Sequence, residues 1–121
     1  FITADGKTLY FDTKYSPENT GGENDSDEIY ISELQPDGKW GKSKNIGKPL
    51  NNKSPNAVIS VTPDNNTALI IGTYKEDGSW GGSGISISQR TETGWSLPKK
   101  VQINNDYNKN KFVDYSLSAD G

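Results

Sequence analysis

The feature that most constrains this chain is that it repeats itself. Thr3-Ala4-Asp5-Gly6 recurs as Thr62-Pro63-Asp64-Asn65 and again as Ser118-Ala119-Asp120-Gly121, which places the three aspartates 59 and 56 residues apart. A second marker agrees: Pro36-Asp37-Gly38-Lys39-Trp40 matches Thr91-Glu92-Thr93-Gly94-Trp95, with the tryptophans 55 apart. Between the markers, Thr8-Leu9-Tyr10-Phe11 matches Thr67-Ala68-Leu69-Ile70, and Glu28-Ile29-Tyr30-Ile31-Ser32 matches Gly84-Ile85-Ser86-Ile87-Ser88. A period of this length marks a structural unit that buries its apolar faces against its neighbours rather than within itself.

Each unit reads as four short strands. The first ends at Ile2-Thr3 in one copy and runs Ala57–Thr62 in the next, followed by an Asp-Gly or Asp-Asn turn whose residues tolerate positive φ. The second strand is Thr8–Thr13 or Thr67–Thr73. A long polar loop follows, Lys14–Asp27 or Tyr74–Gly84. The third strand alternates, with Ile29, Ile31, Ile85 and Ile87 expected inward and Tyr30, Ser32, Ser86 and Ser88 outward. The fourth strand opens at Trp40 or Trp95, and linkers Gly47–Asn56 and Gln102–Lys111 lead onward.

Composition fits only this kind of chain. Leu, Ile, Val and Phe supply 23 of 121 residues, whereas Gly, Ser, Asn and Pro supply 44. So few core formers at high net charge would indicate disorder, but the net charge is −3. No apolar helical period lasts more than two turns. The expected fold is therefore all-β: a β-propeller segment with two four-stranded antiparallel blades, residues 1–56 (first strand mostly missing) and 57–112, and the first strand and turn of a third over 113–121. Propellers typically close with about 4–8 blades, so two blades are expected either to be a piece of a larger propeller or to assemble one from several copies.

The absence of Cys and His removes thiolate and imidazole catalysis and the commonest zinc ligands. No apolar run approaches the roughly 20 residues of a membrane-spanning helix. A pI near 4.9 without a basic cluster argues against nucleic acid. Lys42, Lys44, Lys48, Lys99 and Lys100 are expected at solvated strand edges, where lysine blunts unwanted pairing.

The repeat resembles the WD40-like, Pro-Asp-Gly variety of TolB-type propellers from bacterial envelope proteins. The resemblance is carried by Thr3-Ala4-Asp5-Gly6-Lys7-Thr8-Leu9-Tyr10-Phe11, Thr62-Pro63-Asp64 with Leu69-Ile70-Ile71, Gly21-Gly22, and Ser26-Asp27-Glu28-Ile29-Tyr30-Ile31-Ser32. Ala4 stands at the proline position, Asn65 replaces the turn glycine, and Gly84 stands where the family has Asp. Together with Trp95-Ser96-Leu97-Pro98, the motifs look like the Bacteroidota version. That resemblance implies a periplasmic or outer-membrane-associated setting, in some members type IX secretion or gliding machinery.

Asp5, Asp64 and Asp120 are expected to set hairpins through their own backbone amides, since a catalytic carboxylate would be needed only once. Glu23-Asn24-Asp25-Ser26-Asp27-Glu28 is the densest set of oxygen ligands. It lacks EF-hand spacing and is expected to be a solvated acidic loop, with calcium as the alternative. Trp40 and Trp95 are expected to pack between blades. Trp80, in Asp77–Gly84, either offers an exposed contact or folds back on its blade. Gly81-Gly82-Ser83-Gly84 lacks the lysine and following helix of a phosphate loop. No catalytic, cofactor-binding or metal-ligating residue is assigned. The expected function is a non-enzymatic protein-interaction scaffold in an envelope complex, its partners other blades or envelope proteins. The alternative is a two-blade protomer of an oligomeric glycan-binding propeller.

Overall fold

Short runs of β-branched, aromatic and hydroxyl residues between Gly, Asn and Pro turns favour extended pairing. Among the residues it describes, the computed structural model contains strands and one 3-10 turn, Gly22–Asn24. It describes residues 1–106, 113–118 and 120. The strands are β1 (Thr8–Thr13), β2 (Glu28–Glu33), β3 (Lys44–Asn45), β4 (Val58–Val61), β5 (Thr67–Tyr74), β6 (Trp80–Thr91), β7 (Gly94–Trp95) and β8 (Lys99–Lys100). All pairings are antiparallel. One open sheet runs β1-β2-β3; the second runs β4-β5-β6-β7, with β8 also on β6.

The all-β, antiparallel expectation holds, and the two sheets have three strands and five. In the first sheet the outer positions shrink to isolated bridges, Ile2↔Leu9 and Leu34↔Trp40. In the second, β7 and β8 pair with β6 on either side of Pro98, which has no N–H to continue a ladder. The loop expected over Tyr74–Gly84 is also shorter than its counterpart. Strands β5 and β6 extend to Tyr74↔Trp80, and a tight turn with Gly78 at φ +81° joins them. The segment Val113–Ser118 is a strand of neither sheet, because no strand among the described residues lies alongside to share its hydrogen bonds. Residues 107–112, 119 and 121 of the expected second linker and third unit lie outside the described residues.

The register fixes which faces meet. Tyr10, Ile29, Ile31 and Ile46 share one face of the first sheet. They pack with Val61, Ala68, Ile70 and Trp95 of the second, around Leu50 from the linker. Complete burial of Ile29, Leu50 and Ile70 contributes roughly 1.5–3 kcal/mol each. The alternation expected in β2 and β6 is corrected here. Tyr30, Ser32, Ser86 and Ser88 are buried too, and the two β6 serines lie on the face turned to the first sheet. Burial is tolerated because each hydroxyl has an acceptor: Ser86 Oγ donates to Gly72 O (2.8 Å), Ser88 Oγ to Ser96 O and Ser32 Oγ to Gly41 O (both 2.6 Å). Tyr30 is covered by the loop of residues 14–27, its hydroxyl meeting Ser16 Oγ and Asn19 Oδ1.

The linker between the sheets is built from asparagines. Ile29 N–H donates to Asn51 Oδ1 and Asn51 Nδ2 donates to Ile29 O, both at 2.9 Å, so one amide side chain takes the place of a neighbouring strand. Asn51 Nδ2 also reaches Asn45 Oδ1 at 2.8 Å. Asn52 N–H donates to Asn56 Oδ1, and Asn56 Nδ2 reaches the Tyr74 hydroxyl, which itself donates to Leu50 O at 2.6 Å. Asn51→Ala is expected to destabilise the protein by about 1–3 kcal/mol for each buried group left unpaired. Asn24→Ala, at an exposed position, should stay within about 0.5 kcal/mol of the parent in urea denaturation. Equal effects of the two would refute this role of the linker.

Candidate functional site

The recurring aspartates sit in hairpin turns of one design. Thr3 Oγ1 donates to Asp5 Oδ1 (2.6 Å), which also accepts Lys7 N–H (3.0 Å). Thr62 Oγ1 and Asn66 N–H meet Asp64 Oδ1 at the same two distances, and Ser118 Oγ donates to Asp120 Oδ1 at 2.6 Å. Gly6 and Asn65 hold φ +69° and +60°, as these turns require. The hydroxyl of Thr3, Thr62 or Ser118 is the main cause holding each carboxyl below its ordinary value. The two complete turns also touch: Asn65 Nδ2 donates to Asp5 Oδ2 at 3.2 Å.

The acidic loop is spent on itself. Asp25 accepts the N–H groups of Gly21 and Ser26. Asp27 pairs with Lys14 at 3.6 Å. Glu28, expected in a solvated loop, is fully buried instead, with its oxygens on Thr20 N–H (2.9 Å) and Asn45 Nδ2 (2.6 Å). Among the described residues no group of three acidic, His or Cys side chains is placed to hold a metal ion.

The tryptophans separate. Trp95 is 7% exposed, lies in the inter-sheet core and has the Arg90 guanidinium over its ring at 4.6 Å. Trp40 is 40% exposed, so of the two tryptophans expected to pack between blades only Trp95 is covered by a neighbouring sheet among the described residues. The reason is positional. Trp95 lies on the face that the second sheet turns to the first, whereas Trp40 pairs with Leu34 on the first sheet's opposite face, over which no sheet lies among the described residues. Trp80 folds back: it opens β6, and a Cβ on Gly72 would come within 2.0 Å of its ring. The residues Gly81–Gly84 are part of β6 rather than a loop. Lys44 lies in β3, at the edge of the first sheet, and Lys99 and Lys100 make up β8, bonded only to β6, as expected for lysines that guard edges.

One site was missed in the sequence. A cleft of about 550 Å³ opens between the linker of residues 48–54 and the β5–β6 turn. Trp80, Pro49 and Leu97 give it apolar walls, and Lys48, Lys53 and Lys75 stand around it with Glu76 and Asp77. The volume is in the range of small-molecule sites. Its walls are braced, because Asn52 Nδ2 donates to Gly78 O across the two segments at 3.2 Å. Asp77 Oδ1 is turned into its own turn by Ser79 N–H (2.9 Å) and Ser79 Oγ (2.6 Å), the hydroxyl being the main cause that lowers its pKa. Leu50-Asn51-Asn52 followed by Asn56 was the available signal. Read only as turn formers, these residues conceal a rigid wall.

No family model matches the chain, and no curated protein or solved structure matches it either. Among the described residues no helix is long and apolar enough to cross a membrane.

Two outcomes test this geometry. A carboxyl held below its ordinary 3.8 stabilises the fold above that pH and loses the effect as pH falls through its lowered value. The urea midpoint of Asp64→Ala should therefore lie below the parent at pH 7, and the gap should narrow as pH falls below the ordinary carboxylate range; a gap that does not change with pH would refute the turn assignment. Gly72, at φ +83° beneath Trp80, leaves no room for a side chain. Gly72→Ala should cost roughly 1–3 kcal/mol in the same assay, and a neutral result would mean the ring is not seated there.

Proposed function

We propose that this chain is part of a β-propeller of the Pro-Asp-Gly, TolB-like type and works as a non-enzymatic interaction scaffold in a bacterial cell envelope. The observation that carries the reading is the recurrence of individual hydrogen bonds at the spacing of the sequence repeat. The Thr3–Asp5 turn returns as Thr62–Asp64. Ile46 N–H on Ile29 O returns as Val101 N–H on Ile85 O, both at 3.0 Å, and the Ser32–Gly41 bond returns as Ser88–Ser96. Pairs Tyr30↔Asn45 and Ile31↔Lys44 likewise correspond to Ser86↔Lys100 and Ile87↔Lys99.

Face usage supports the same reading. The second sheet lays Ala68, Ile70 and Trp95 on the first, while its other face carries Leu69, Ile71 and Ile87. The first sheet's outer face carries Leu9, Phe11 and Trp40, in the orientation Trp95 has on the second. A sheet stacked before the first in the same manner would cover Trp40, and one stacked after the second would cover Ile71. Rigid stacked sheets hold their loops in place, so a partner binds at little ordering cost. The envelope setting rests on the motif resemblance alone.

Light scattering on the chain is expected to give a monomer of 13.2 kDa. A closed trimer of about 40 kDa would favour the glycan-binding oligomer instead. A tandem duplication should raise the urea midpoint and protect one Trp40 from acrylamide quenching. Quenching of both Trp40 side chains as in the single chain would refute the stacking.

A further inference from the structure

We propose that the cleft between the linker of residues 48–54 and the β5–β6 turn binds an acidic saccharide, a pyranose unit carrying a carboxylate, with Trp80 as its apolar platform and Lys48, Lys53 and Lys75 as its anion partners. The inference goes beyond the scaffold reading and does not depend on ring formation, since the described residues of one chain supply the whole site.

Three observations converge on this chemistry. The first is charge. The lining sets Lys48, Lys53 and Lys75 against the carboxylates of Glu76 and Asp77, an excess of one positive charge, and none of the three lysines has a carboxylate of the described residues within salt-bridge distance. Lys75 acts on Asp77 only as a longer-range charge, and that carboxylate is already held by Ser79. Unpaired ammonium groups around a concave surface favour an anion. The second is the platform. Trp80 is half-buried against Gly72 and borders the cleft, so its ring is fixed before any ligand arrives. A flat apolar ring with a polar edge suits the carbon-bound hydrogens of a sugar ring. The third is rigidity. The Asn52 amide is engaged with Gly78 O and with Asn56 Nδ2, so the walls keep their shape.

An acidic peptide is the less favoured occupant. Extended peptides dock on open strand edges or in deep side-chain pockets. This cleft is walled by a linker and a hairpin turn, and its hydroxyl and amide groups, among them Thr20, Ser54 and Ser79, suit a polyhydroxylated ligand better.

The test uses the full 121-residue chain, with calorimetry and tryptophan fluorescence against trigalacturonate, galactotriose and tetraglutamate. Trigalacturonate should bind with a millimolar or tighter dissociation constant, at least about tenfold tighter than galactotriose, and more weakly as salt rises. Trp80→Ala should weaken it about tenfold or more. Because Trp80 also braces the hairpin, Lys53→Gln and Lys75→Gln, both at exposed positions, serve as the second arm. Each should weaken trigalacturonate severalfold with an unchanged circular dichroism spectrum, and should flatten the salt dependence. No binding at about ten millimolar ligand, equal binding of galactotriose, or lysine variants that bind as the parent does would overturn the proposal. Equal or tighter binding of tetraglutamate would overturn the saccharide assignment in favour of an acidic peptide.

Discussion

The structure depends on one amide. Asn51 meets the N–H and the C=O of Ile29 at once, doing from a linker what an adjacent strand would do. Ile29 is fully buried at the centre of the first sheet, so its backbone groups have no water to turn to. Asn51 closes the N–H and shares the C=O with the N–H of Ile46, which ties the linker down, and Leu50 beside it is pressed between the sheets. The rest follows from that placement. Asn56 then reaches Tyr74, Tyr74 closes the carbonyl of Leu50, and the second sheet is set against the first at one distance and in one orientation.

This explains how a chain with so few core formers holds together. Between the sheets, Tyr10, Ile29 and Ile31 on one side meet Val61, Ile70 and Trp95 on the other, whose face also carries the small residues Ala68, Ser86 and Ser88. Each of the two serines donates its proton to a backbone carbonyl, Ser86 to Gly72 O and Ser88 to Ser96 O. The interior is thus partly polar but largely satisfied, which costs little, whereas a half-satisfied network would cost more than an apolar one. The same satisfaction braces the cleft beside Trp80, so that stability and the candidate site draw on one set of asparagines.

Much of the strand order was legible because Thr8–Thr13 and Glu28–Ser32 have strand composition and the Asp turns announce their ends. What alternation could not give is which face is covered. Ser86 and Ser88 looked outward because hydroxyls usually are, yet their neighbours supply acceptors that no local pattern reveals. Trp40 and Trp95 are equivalent in sequence and differ in burial because burial depends on the next sheet, not on the residue. Trp80 looked loop-borne among glycines. Only the pairing of Tyr74 with Trp80, and the space left over Gly72, show those glycines admitting the ring and extending the hairpin. The cleft was invisible for a related reason: it joins residues 48–54 to 75–80, segments that share no motif.

The bond from Asn65 to Asp5 joins two turns that are otherwise alike. At the position of Asn65 the first turn has Gly6, which has no side chain and can reach nothing behind it. The clasp is therefore particular to this junction. Chains built from near-identical units risk pairing the wrong neighbours as they fold, because every surface suits several others. A side chain that occurs in one turn and not its twin gives this pair of sheets a mark of its own. The departure from the Asp-Gly pattern at Asn65, which weakens the match between the two turns as sequence, supplies the side chain that ties the second turn to the first.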